Sequence, residues 1–206
     1  MSSDSASTIA SEIELVPANC FEPFDLPAIY RRVAPLEVDL GCGDGALLTA
    51  LAAQNSDKDF LGIERLLGRV RSAVRKIERA GLTNARVTRF EIFYALEHLL
   101  LPHSVSAFYL LFPDPWPKRR HAARRIVSEG FLAALYRALV PNGTIRIATD
   151  ESAYFEQITR LVSASERFVG VQNSTWLLPS TKFERRFLER GVPIQRLELR
   201  KVLPVT

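Results

Sequence analysis

The chain has 206 residues, 47% hydrophobic and 24% charged, with a formal net charge of +4. That length buries one core, and the balance is that of a globular domain, which excludes disordered and fibrous classes. No apolar run is long enough to span a membrane, and Cys20 with Cys42 makes neither a disulfide framework nor a metal-ligand spacing. The N-terminal "MSSDSASTIASE" lacks the basic start and apolar stretch of a secretory signal. A cytoplasmic chain is expected, with no membrane and no metal, a mobile Ser-rich tail over 1–12 and a single domain over 13–206.

The elements alternate along the chain. "LEVDLG" (36–41) predicts a buried strand ending at glycine, "ALLTALAAQ" (46–54) a helix and "DFLGIE" (59–64) a second strand. Over 66–80, Leu66, Leu67, Val70, Ala73, Val74 and Ile77 share one helical face. Arg65, Arg69, Arg71, Arg75, Lys76 and Arg79 take the other, and Gly81 closes the helix. "ARVTRF" (85–90) predicts a strand and "YALEHLL" (94–100) a helix. "VSAFYLLF" (105–112) is nearly all apolar, as a strand covered on both faces of a parallel sheet tends to be. A helix over 123–139, a "PNG" turn at 141–143, a strand over 144–150 and a helix over 152–164 follow. "RFVGVQ" and "RLELRKVL" complete a count of seven strands, with "TKFERRFLERG" between them. This order predicts an α/β fold: a doubly wound, mostly parallel seven-stranded sheet with helices on both faces. Its functional loops belong at the C-terminal ends of the strands.

The first such loop is "DLGCGDGA". Gly41, Gly43 and Gly45 allow a tight turn and close backbone approach to a ligand, and the helix N-terminus beyond favours an anionic group. The spacing fits a dinucleotide as well as an adenosine-containing methyl donor, and Glu64 at the end of the second strand suits the ribose of either. Asp39 favours the methyl donor. A carboxylate inside the first strand would repel pyrophosphate but suits the sulfonium and ammonium of S-adenosylmethionine. Cys42 has no neighbouring base in sequence and reads as a small residue that fits.

The second loop, "FPDPWPKRRHAARR" (112–125), holds three prolines, one acid and five Lys or Arg residues. Pro113 and Pro115 stiffen the frame around Asp114, Trp116 adds a flat apolar surface, and Lys118, Arg119, Arg120, Arg124 and Arg125 with His121 supply cationic contacts. Phosphate contacts that fix register beside a carboxylate that reads a base edge are what RNA recognition needs.

"FPDPWPKRRHAARRIV", with "DLGCGDG", "LGIE", "IATD" and "TKFE", resembles the tRNA (guanine-N7-)-methyltransferase family. The glycine loop is common to many methyltransferases; the PDPW-K-x-RH block is far more specific. The resemblance implies a Rossmann-like class I methyltransferase fold, S-adenosylmethionine as cofactor, and methylation of a guanine in the tRNA variable loop. It implies cofactor contacts from Asp39, Gly41, Gly43, Gly45, Glu64, Glu91 and Asp114, with Asp114 the catalytic aspartate. Substrate contacts would come from Lys118, Arg120, His121, Arg124, Arg125, Asp150, Thr181, Lys182, Phe183 and Glu184. "FEI" (90–92) stands where the family has Gly-Asp-Ala or Gly-Asn-Ala. A monomer or homodimer acting on tRNA is expected. The rivals are an enzyme for a small molecule, an RNA-binding protein with a degenerate cofactor site, and a dehydrogenase. The first leaves the basic block unexplained, and Asp39 opposes the last.

Overall fold

The computed structural model describes residues 12–116, 125–172, 178–179 and 189–203. They fall into two compact units that divide between Leu101 and Pro102. Of the expected tail only Glu12 is described, and it pairs with Arg31 at 3.1 Å.

The first unit carries strands β1 (Glu14–Leu15), β2 (Leu36–Leu40), β3 (Asp59–Ile63) and β4 (Ala85–Thr88). All are parallel, in the order β1-β4-β3-β2. β1 raises the number of strands among the described residues to eight, against the seven expected. Two residues are too few to show alternation; the Thr88 hydroxyl, donating to Leu15 O at 2.9 Å, helps hold them in place. Every residue of β2 and β3 is buried. The acids in them are paired where they lie far from the loops: Glu37 with Lys58 at 2.8 Å and Asp59 with Arg32 at 2.7 Å.

Helix α1 (Leu26–Tyr30) is capped by Asp25, which accepts from Ala28 N, and has Pro27 in its first turn. α2 (Ala46–Gln54) follows the glycine loop. α3 (Leu67–Arg79) buries Val70, Ala73, Val74 and Ile77, as its periodicity predicts. Leu66 departs from that expectation: its backbone is extended ahead of the helix and it is 45% exposed. The helix expected over 94–100 starts earlier. α4 (Ile92–Tyr94) begins where the Glu91 carboxylate accepts from Tyr94 N at 2.9 Å, and it runs on as a π-turn over Ala95–Leu99.

The second unit carries β5 (Val105–Leu111), β6 (Leu139–Thr149), β7 (Phe168–Gly170) and β8 (Gln195–Lys201) in the order β5-β6-β8-β7. β5 and β6 are parallel; β8 runs antiparallel to β6 and β7. The expected "PNG" turn is absorbed into the start of β6. Register shifts between Val105↔Leu139 and Ala107↔Thr144, and Asn142 takes a positive φ of 60° in the bulge. α5 (Glu129–Ala138) begins later than the expected 123–139 because Ser128 caps it, accepting from Phe131 N at 3.2 Å. Its C-terminal carbonyls are met by Lys201, which is 2% exposed and donates to Tyr136 O at 2.7 Å and Leu139 O at 2.6 Å. Burial lowers the pKa of that ammonium. α6 (Ser152–Ser163) completes the unit.

One feature of α3 opposes its own stability. Arg71, Arg75 and Arg79 are all exposed at i, i+4 and i+8, and the first turn holds no acid. Like charges at this spacing repel by about 0.2–0.5 kcal/mol per pair. Arg75→Glu replaces the two repulsions by two attractions, at the cost of turning the i+3 attraction between Arg75 and the exposed Glu78 into a repulsion. Stability should rise by about 0.5 kcal/mol, which thermal melting would read as a Tm about 1–2 °C higher.

Candidate active site

In the first unit the expected cofactor residues converge at the C-terminal ends of neighbouring parallel strands. Gly41 N and Cys42 N both donate to Ile63 O, at 2.8 and 3.1 Å, so the glycine loop is fastened to the end of β3. Glu64 comes next in the chain and is buried. Its Oε2 accepts from Gly43 N at 3.2 Å and its Oε1 from Leu66 N at 2.9 Å, with Arg69 3.7 Å away.

The glycines differ in what they do. Gly45 has φ +74°, and a Cβ there would lie 2.6 Å from Ala73 Cβ, so this position lets α2 pack against α3. Gly43 has φ +56°, and a Cβ there would meet nothing nearer than Gly41 O at 4.0 Å. Its surroundings are open space, as a ligand requires.

Asp39 is the unusual acid. It is buried, and no described residue donates a hydrogen bond to it. Burial, reinforced by the Glu64 charge, raises its pKa to about 7. Two buried carboxylates beside an open glycine turn suit a ligand that brings hydroxyl donors and a positive charge, and they oppose a polyanion. S-adenosylmethionine fits that donor set. Asp44, which the sequence reading left without a role, caps the start of α2 through Ala46 N at 3.3 Å and pairs with Lys76. Cys42 is buried with its Sγ against Gly62, and burial pushes its thiol pKa well up. It is therefore not a thiolate nucleophile. Glu91 is exposed and its carboxylate caps α4, between Phe90 and Tyr94, which stack at 5.8 Å.

In the second unit Asp114 and Asp150 lie beyond the C-terminal ends of the parallel neighbours β5 and β6. Asp114 is exposed and Asp150 half-buried. The frame around Asp114 is unusual: Phe112 and Trp116, two residues to either side, take positive φ of 53° and 42°. Aromatic residues rarely occupy that region. Phe112 N donates to Ala148 O at 2.8 Å, anchoring the near end to β6. Arg125 engages the far end, its Nε donating to Pro115 O at 2.7 Å. The same guanidinium donates to Gln157 Oε1 and lies 4.9 Å over the Tyr154 ring. Tyr154 and Gln157 sit on α6, and nothing in the sequence pattern ties them to the basic block. Lys118, Arg120, His121, Arg124, Thr181, Lys182, Phe183 and Glu184 lie outside the described residues. Among the described residues no group of His, Cys, Asp or Glu could hold a metal ion, and no helix is long and apolar enough to cross a membrane.

Comparison with known proteins agrees with this geometry. A family described as a putative methyltransferase matches residues 33–197. A tRNA (guanine-N(7)-)-methyltransferase of Nitrosomonas eutropha is 35% identical over 179 residues, covering 85% of this chain and 80% of that protein. Its counterpart in Leifsonia xyli subsp. xyli is 39% identical over 185 residues, covering 85% and 80%. Among solved structures, the antibiotic-resistance methyltransferase Kmr superposes with a TM-score of 0.63 at 18% identity, over 92% of this chain and 96% of that one. That likeness establishes the doubly wound, Rossmann-like class I methyltransferase fold. The buried carboxylates at an open glycine turn, the PDPW block and these relatives converge: the chain belongs to the tRNA (guanine-N(7)-)-methyltransferase family.

Proposed function

We propose that this protein transfers a methyl group from S-adenosylmethionine to N7 of a guanine in the variable loop of tRNA, in the cytoplasm, as a monomer or homodimer. The observation that carries the cofactor half is the buried Asp39, held beside Glu64 and unpaired by any described residue. S-adenosylmethionine supplies the methyl group on a cationic sulfonium. Glu64 orients the turn through Gly43 N and presents its carboxylate to ribose hydroxyls. Asp39 faces positive charge, and Glu91 stands on the adenine side.

Guanine N7 carries a lone pair and no proton, so the reaction needs no general base. The protein's task is alignment. Asp114 accepts from guanine N1–H and the exocyclic amino group, and its charge stabilises the base as it becomes cationic. Asp150 and the Thr181–Glu184 segment complete the substrate contacts. Lys118, Arg120, His121 and Arg124 hold RNA.

Three outcomes follow. The native pKa of Asp39, about 7, lies above the unfolded value of 3.8, so the native state keeps a proton that the unfolded chain has released. Stability therefore falls as pH rises from about 4 to 7 and is level above, and Asp39→Asn abolishes this fall. S-adenosylmethionine selects the carboxylate, so its affinity in calorimetry should rise about fivefold from pH 6 to pH 7 in the native protein. In Asp39→Asn it should stay flat; a parallel rise in both would remove Asp39 from the site.

Gly43→Ala tests the turn. The protein leaves room for the methyl, so the cost to folding is the left-handed backbone alone, about 1–2 kcal/mol. A folded variant should bind S-adenosylmethionine at least about tenfold more weakly. Unchanged affinity would place the cofactor elsewhere.

Asp114→Asn keeps shape but turns amide donors toward guanine's donors. Turnover at saturating cofactor and tRNA should fall about 10²–10³-fold with cofactor affinity unaltered. Near-normal turnover would exclude the role given to this carboxylate.

A further inference from the structure

We propose that Arg125 is a positioning residue that latches the Asp114 loop, and that it does not act as an RNA phosphate contact. The inference rests on reading Asp114 as the guanine-facing group. Within the basic block Arg125 is half-buried, and two of its five N–H donors, with the face of the guanidinium, are engaged inside the protein. Nε goes to the carbonyl of Pro115, the residue after Asp114. Nη1 goes to Gln157, and the guanidinium plane covers Tyr154, which is fully buried. The Tyr154 hydroxyl in turn accepts from Val127 N at 3.2 Å, fixing the chain just beyond Arg125.

The geometry uses what is particular to arginine. A planar fork donates from separate nitrogens along two edges while its face lies flat on an aromatic ring; a lysine ammonium gathers its three donors on one atom and has no plane to stack. Pro115 has no N–H, so its carbonyl is the only backbone hydrogen-bonding group it offers. Phe112 N on Ala148 O fastens the loop before Asp114, and Arg125 on Pro115 O fastens it after. At these ties both aromatic residues sit at positive φ, Phe112 at the first and Trp116 just past the second, a conformation that persists only where the surroundings enforce it. Releasing one tie lets the loop relax and carries the Asp114 carboxylate away from its place.

The experiment compares Arg125→Lys, Arg125→Ala and Gln157→Leu with the native protein in one assay. The latch predicts that Arg125→Lys, which keeps the charge, loses turnover almost as fully as Arg125→Ala, by about ten- to a hundredfold. The tRNA KM and the salt dependence of tRNA binding stay as in the native protein, and Gln157→Leu shows a smaller loss of turnover. A phosphate contact predicts the opposite: near-native turnover in Arg125→Lys, and a log–log salt slope smaller by about 0.7–0.9 in Arg125→Ala. A readout free of activity accompanies these. With Trp176 replaced by Phe, Trp116 is the sole tryptophan. Its quenching by acrylamide should increase in Arg125→Lys and in Gln157→Leu. Unchanged quenching in both overturns the latch. Increased quenching with a native protein inactive on tRNA would uphold the latch and overturn the assignment of substrate.

Discussion

Everything at the proposed cofactor side depends on one buried acid, Glu64. Its two oxygens accept from Gly43 N and Leu66 N, so a single carboxylate sets the crest of the glycine turn and the chain entering α3. The Glu64 charge, added to burial, is felt by Asp39. Asp39 lacks such donors and is held half-protonated near neutrality. The pair makes a site whose electrostatics are incomplete until positive charge arrives. This separates a sulfonium donor from a pyrophosphate ligand, although the glycine spacing admits both. The Lys58–Glu37 and Arg32–Asp59 pairs show the contrast: acids of the same two strands, placed away from the loops, are neutralised by the protein itself.

The proposed substrate side follows a different logic. Asp114 is exposed, and the role proposed for it requires that it be held still. Backbone ties before and after it, and two aromatic residues in left-handed conformation, describe a loop whose shape is imposed from outside. For a nucleophile that needs no deprotonation, placement is most of what an enzyme can contribute.

The sequence made the central strands and the glycine loop legible because each has a strong local signature. Burial wrote β5 as a nearly apolar run and β2 and β3 as short runs interrupted only by Glu37, Asp39 and Asp59, and the burial of Val70, Ala73, Val74 and Ile77 follows their spacing. β1 escaped because two residues carry no period, and the start of α5 was misplaced because the single hydroxyl of Ser128 decides it. Leu66 fits the helical period yet lies before the helix, since the Glu64 carboxylate holds its N–H in an extended turn. The basic block reads as one unit in the sequence. Arg125 leaves that unit because Gln157 and Tyr154 lie far along the chain, where no pattern connects them to it. Glu91 was legible as an acid after the third expected strand, and its capping of α4 was not.

The central claim is transfer to a particular atom, and one measurement reaches it most directly. Unmodified tRNA is incubated with the protein and S-adenosylmethionine labelled in its methyl group, then digested to nucleosides. A second tRNA carries 7-deazaguanosine at the modified position. The account predicts label in 7-methylguanosine from one variable-loop position, and none from the deaza tRNA, which should still compete for binding. Label in any other nucleoside, or undiminished transfer to the deaza nucleotide, would contradict it.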